Sequence, residues 1–197
     1  VNRMSVLRTN QITDTATNVA ANISGGTVSF NNTPTFAAGK DPFNSIIETF
    51  YYHDGAPLEG SDQDLNRTWT RITTNATANK NSGMTESSGV WTFPSTGIWL
   101  TNLHFSFYDT AANNAVGINL KYSSDSGANF TSVQAAFQNT RAANAWSHIN
   151  LTYAFNITNV STERMVYRTS SDDNLYVQGG TGASATKVQF IKLCPSV

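Results

Sequence analysis

The sequence predicts an all-β protein: an antiparallel jelly-roll sandwich of about ten strands that follows an extended N-terminal arm. Three observations predict it. From Ser45 onward, short segments alternate apolar and polar residues with a period of two, and Gly, Asn, Asp and Ser separate them. No segment carries the wider periodicity of an amphipathic helix. Only 13% of the residues are charged, against roughly 25% in ordinary soluble proteins, so the polar surface is built mostly from neutral hydrogen-bonding side chains.

Residues 1–44 hold scattered apolar side chains, and Gly25-Gly26, Pro34, Gly39 and Pro42 interrupt any pattern. Such a segment has too little apolar surface to offset the entropy of ordering it. It reads as an extended arm that stays disordered alone or becomes ordered against another surface, and an assembly is the expected state. Residues 45–197 form the head, long enough for one sandwich core. A chain of this size buries about 70% of the surface its unfolded form exposes, so no second globular domain is required.

Within the head, strands are expected at Ile46–His53, Thr68–Thr73, Val90–Phe93, Ile98–Tyr108, Ala115–Ser123, Phe130–Phe137, Ser147–Ile157, Glu163–Thr169, Leu175–Gln178 and Lys187–Leu193. The loops DGAPLEGSDQD, SSDSGAN and GGTGASA separate them. Along Ile98–Tyr108, alternation puts Trp99, Leu103, Phe105 and Phe107 on one face and Leu100, Asn102, His104, Ser106 and Tyr108 on the other. The segment WSHINLTYAFNI repeats the split. Ile149, Leu151, Tyr153, Phe155 and Ile157 share one side, and His148, Asn150, Thr152, Ala154 and Asn156 the other. A solvated sheet face usually carries Lys and Glu. This one carries Asn, Thr, Ser, His and Tyr, which implies that identical neighbours cover it.

The run GVWTFPSTGIW over Gly89–Trp99, the aromatic strand after it and the late TKVQFIKL strand resemble the trimeric jelly rolls of the tumour necrosis factor and complement globular-head superfamily. The resemblance spans about residues 46–193 and is specific at Gly89, Trp91, Phe93, Pro94, Gly97 and Trp99. It implies a homotrimer whose inner sheets meet around a threefold axis. Leu100, Asn102, His104 and Tyr108 would point to that axis, with His148, Asn150 and Thr152 beside them. The inner face here is more polar than in the receptor-binding cytokines of that superfamily.

The stretch MSVLRTNQITDTATN, from Met4, is similar to amino-terminal segments of fibre and decoration proteins of tailed phages. That resemblance implies attachment to a capsid or tail protein through residues 1–44, and a place on the virion surface after assembly in the host cytoplasm. The single cysteine, Cys194, can form no intrachain disulfide, which suits folding in a reducing compartment. No apolar leader and no run approaching a membrane span is present, so neither a secretory signal nor a membrane partner is expected. The net charge is −1 without a Lys/Arg cluster, which removes the attraction that nucleic acid requires.

Catalysis finds no support in the residues. His53, His104 and His148 are spread over different strands, no nucleophile elbow or neighbouring acid suggests a triad, and they read as hydrogen-bonding interface residues. Three copies of His104 on an axis could gather a metal or an anion, but no ligand spacing supports such a site, and no cofactor is expected. The loop residues Asp54, Glu59, Asp62 and Asp64 lack the spacing of a calcium loop and read as a solvated acidic turn. Trp146, beside the polar run NTRAANAW, is the candidate glycan contact, whereas Trp69 and Trp91 belong to the core.

The sequence thus points to a non-enzymatic virion component, a trimeric capsid decoration protein or short head fibre. Its alternatives are a receptor- or glycan-binding tail-fibre tip, and an extracellular carbohydrate-binding or cytokine-like module.

Overall fold

The computed structural model describes residues 11–13, 19–24, 27–30, 46–52, 57–58, 62–73, 83–110, 115–140, 142–171, 175–180 and 185–196. In chain order the strands are β1 (Gln11–Thr13), β2 (Val19–Ser24), β3 (Thr27–Phe30), β4 (Ile47–Tyr52), β5 (Pro57–Leu58), β6 (Trp69–Arg71), β7 (Thr85–Ser87), β8 (Val90–Thr92), β9 (Gly97–Asp109), β10 (Ala115–Ser123), β11 (Thr131–Asn139), β12 (Ser147–Ile157), β13 (Arg164–Ser170), β14 (Leu175–Val177) and β15 (Lys187–Cys194). No helix occurs among the described residues.

The chain divides into two units, Val1–Pro42 and Phe43–Val197. In the first, β1, β2 and β3 pair into an antiparallel sheet, where the composition suggests an extended arm. The residues read as breakers explain the difference. Ser24 pairs with Thr27, so Gly25-Gly26 is a two-residue connection, and a Gly-Gly pair between strands is a strong hairpin signal.

In the second unit, all ten expected strands form, with ends shifted by two residues or fewer. Together with the short β5 and β7 they build two antiparallel sheets. One has the order β11-β10-β13-β8-β7, and the other the order β5-β14-β9-β15-β4-β6 with β12 on the free side of β9. Strand β9 organises the second sheet: β12 pairs with it from Gly97 to Phe107, while β15 and then β14 follow its other edge. The two sheets enclose the core of a sandwich.

Aromatic rings fill that core. Trp91, Phe93, Trp99, Phe105, Phe107 and Phe190 are completely buried. Trp91 sits at the centre, edge-on to Phe50 at 4.9 Å and to Trp69 at 5.5 Å. The indole N–H of Trp99 donates to the Ser95 carbonyl at 3.0 Å, and that of Trp69 to the Leu65 carbonyl at 3.1 Å, so neither polar edge is left unpaired by burial. The aromatic wealth around Pro94 is therefore core on both sides of one connection. Each such ring contributes roughly 1.5–3 kcal/mol when fully buried.

Two glycines make the path between those strands feasible. Ser88 and Gly89 both have positive φ, 51° and 84°, the backbone that a tight two-residue hairpin requires between β7 and β8. Gly97 opens β9 at φ 146°, and a Cβ there would stand 2.6 Å from the Cys194 carbonyl oxygen.

Candidate functional site

Strand alternation gives the β12-β9-β15-β4 sheet an inner face, packed on the core, and an outer face with its own chemistry. The pairing register sets out that outer face in rows. Asn150, His104, Lys187 and Tyr51 lie side by side, and next to them Thr152, Asn102, Gln189 and Thr49. A third row, Ala154, Leu100, Ile191 and Ile47, is aliphatic. At the opposite end Tyr108 pairs with Tyr176, their rings parallel at 4.6 Å, and Trp146 stands edge-on to Tyr108 at 4.8 Å. The face thus runs from aromatic, through imidazole and amide, to aliphatic.

Seven of the residues that the sequence assigns to an interface lie on this face: Leu100, Asn102, His104 and Tyr108 from β9, and His148, Asn150 and Thr152 from β12. Neighbouring polar groups are tied together. The Thr152 hydroxyl donates to Asn102 Oδ1 at 2.8 Å, and His104 Nδ1–H donates to Asn150 Oδ1 at 2.9 Å. His148 stacks on His104 with ring centroids 5.2 Å apart. Between β12, β9 and β15 the surface sinks into a depression of about 330 Å³, floored by Leu103 and Val188 and walled by polar side chains that include Lys187 and Gln189.

Two expectations need adjustment. Ser106 shares the parity of this face but is buried, because its hydroxyl donates to Gln178 Oε1 at 2.9 Å and its backbone pairs with Thr186 Oγ1. Asp64 is not a free carboxylate of a solvated loop: Arg168 grips it with Nε–Oδ1 at 2.6 Å and Nη2–Oδ2 at 3.2 Å. Trp146, the candidate glycan contact, is 49% exposed, and its described ring contact is with Tyr108 on the outer face. His53, Asp54 and Glu59 lie outside the described residues.

Sequence reasoning missed Lys187, Gln189, Thr49, Tyr51 and Tyr176 as parts of the same face. Their alternation with buried Val188 and Phe190, or with Phe50 and Tyr52, is legible in the sequence; their place on one face with β9 is not, because it depends on pairings across most of the head. The arrangement is suited to binding. Among the described residues, neither imidazole contacts a carboxylate or an activated hydroxyl, and no group of three or more His, Cys, Asp or Glu side chains is placed to hold a metal ion.

No family model matches the sequence, and no curated protein matches it. Solved structures do. Eiger TNF from S. frugiperda superposes with a TM-score of 0.55 at 12% identity, over 78% of this chain and 95% of that one. Murine APRIL at pH 5.0 superposes with a TM-score of 0.53 at 11% identity, over 76% of this chain and 99% of that one. At such identities the likeness is one of fold, and with the sheet order above it makes this chain an all-β jelly roll of the tumour necrosis factor type.

Proposed function

We propose that the chain is a non-enzymatic structural protein of a tailed-phage virion, a homotrimeric capsid decoration protein or short head fibre. Residues 1–44 attach it to a capsid or tail protein, and the jelly-roll head is displayed at the virion surface. The observation that carries the self-association is the outer face of β12, β9, β15 and β4. It is broad and almost uncharged, and it joins an aromatic cluster to an aliphatic row in which Leu100, Ile191 and Ile47 are half-buried, a composition closer to the core of an interface than to solvated surface. The jelly-roll fold is compatible with closed cyclic assembly, which would also limit exposed sheet edges. The phage attachment is supported by the resemblance of the segment starting at Met4 and by a composition rich in neutral polar residues with one cysteine.

Co-sedimentation with phage particles tests the attachment. A form lacking residues 1–44 is expected to keep its cooperative unfolding and lose particle binding. Full occupancy by the shortened form would refute the anchoring role.

The cluster of Tyr108, Tyr176 and half-exposed Trp146 favours a second reading, a receptor- or glycan-binding head. Saturable binding of the head to host cells, abolished by Trp146→Ala, would select it.

A further inference from the structure

We propose that the depression between β12, β9 and β15 binds a small oxyanion of the sulfate or phosphate class, and that this anion supports assembly. The inference rests on the reading of this face as a subunit interface. Lys187 is the one formally charged side chain on the face among the described residues, and it lies in register between His104 and Tyr51. No carboxylate among the described residues of the face balances it. Covering the face with other copies removes water from the ammonium, and a charge desolvated without a partner is strongly destabilising.

The neighbouring groups supply donors. Asn102 Oδ1 is occupied by the Thr152 hydroxyl and Asn150 Oδ1 by His104 Nδ1–H. Both amide nitrogens are therefore left to donate, and both asparagines line the depression with Lys187 and Gln189. Gln189 Nε2 already leans on Thr49 Oγ1 at 3.5 Å, a long contact that a better acceptor would replace. An ammonium and several N–H donors, with the asparagine carbonyls already engaged, match an oxyanion better than a cation or a neutral sugar, which needs acceptors as well. The volume of about 330 Å³ accommodates such an ion with bridging water.

The test uses the full chain in millimolar sulfate against sodium chloride of equal ionic strength. With sulfate several-fold above its dissociation constant, the thermal midpoint is expected to rise by roughly 2–4 °C. Lys187→Gln should remove the rise while light scattering still reports a trimer, and Lys187→Arg should preserve it. An equal rise in Lys187→Gln would overturn the proposal, because the effect would then be general salting. So would a trimer indifferent to sulfate but weakened by Lys187→Gln, in which a neighbouring copy's carboxylate provides the counter-charge. A chain that is monomeric in both salts would refute the assembly reading. In that case the side-chain amide resonances of Asn102 and Asn150 decide separately: sulfate-dependent shifts would uphold the site, and unchanged resonances would reject it.

Discussion

Glu48 illustrates how single residues hold this head together. Its carboxylate is buried, yet it accepts the Met84 backbone N–H at 3.0 Å, the Gly83 N–H, and Nη2 of Arg71 at 3.4 Å. Removing it would strand buried donors, and Glu48→Ala is expected to lower unfolding stability by about 2–3 kcal/mol, measured by urea denaturation. Asp125 performs a similar task in the open. The Ser123 hydroxyl and the backbone and side-chain N–H groups of Asn129 hold its carboxyl down to about 2, below the usual 3.8. A depressed carboxylate stabilises the folded turn above its unfolded value, and that contribution is lost as pH falls through about 2. The Asn129 amide resonance should therefore titrate with a midpoint near 2, and a midpoint near 4 would show that these bonds do not form. The six residues that carry the family resemblance were legible at this scale for physical reasons. Trp91, Phe93 and Trp99 are core, Gly89 and Gly97 adopt backbone that other residues resist, and Pro94 stands in the bend between β8 and β9.

At the scale of elements, the long strands were readable because nine to thirteen residues give several full alternations between faces, as in β9, β10 and β12. The strands that sequence reasoning passed over are short. β7, Thr-Glu-Ser, has no apolar residue and β5 is only Pro-Leu, whereas the equally short β6, β8 and β14 each contain an aromatic residue. β1, β2 and β3 are hidden because glycines and prolines read as interruptions, although a Gly-Gly pair between paired strands is equally a hairpin signal. The β7–β8 hairpin offers a direct check. Gly89→Ala would force a side chain into left-handed backbone, at roughly 1–2 kcal/mol, and would set its Cβ 2.9 Å from the Leu65 carbonyl oxygen. A variant as stable as the parent in calorimetry would show that the turn has another conformation. Between β12 and β13, Glu163 accepts the Thr158 and Asn159 N–H groups at 2.8 and 3.2 Å and the Thr158 hydroxyl at 3.0 Å, so that connection is also fastened by one carboxylate.

At the scale of the whole molecule, one sheet buries its inner face within the chain and presents the other outward. That the second face is neutral could be read from two strands alone, β9 and β12. That it extends over β15 and β4, contains Lys187, and ends in the Tyr108–Tyr176–Trp146 cluster depends on long-range pairing, which alternation within a strand does not encode. The central claim is that copies of the chain cover this face. Ala154, exposed and in register with Leu100 and Ile191, is where a charge would oppose that contact most simply without touching the core. Light scattering after size exclusion, on the intact chain and on Ala154→Arg, tests the claim most directly. The account predicts three times the chain mass for the parent and one chain mass for a variant that still unfolds cooperatively. A monomeric parent, or a variant that remains trimeric, would contradict it.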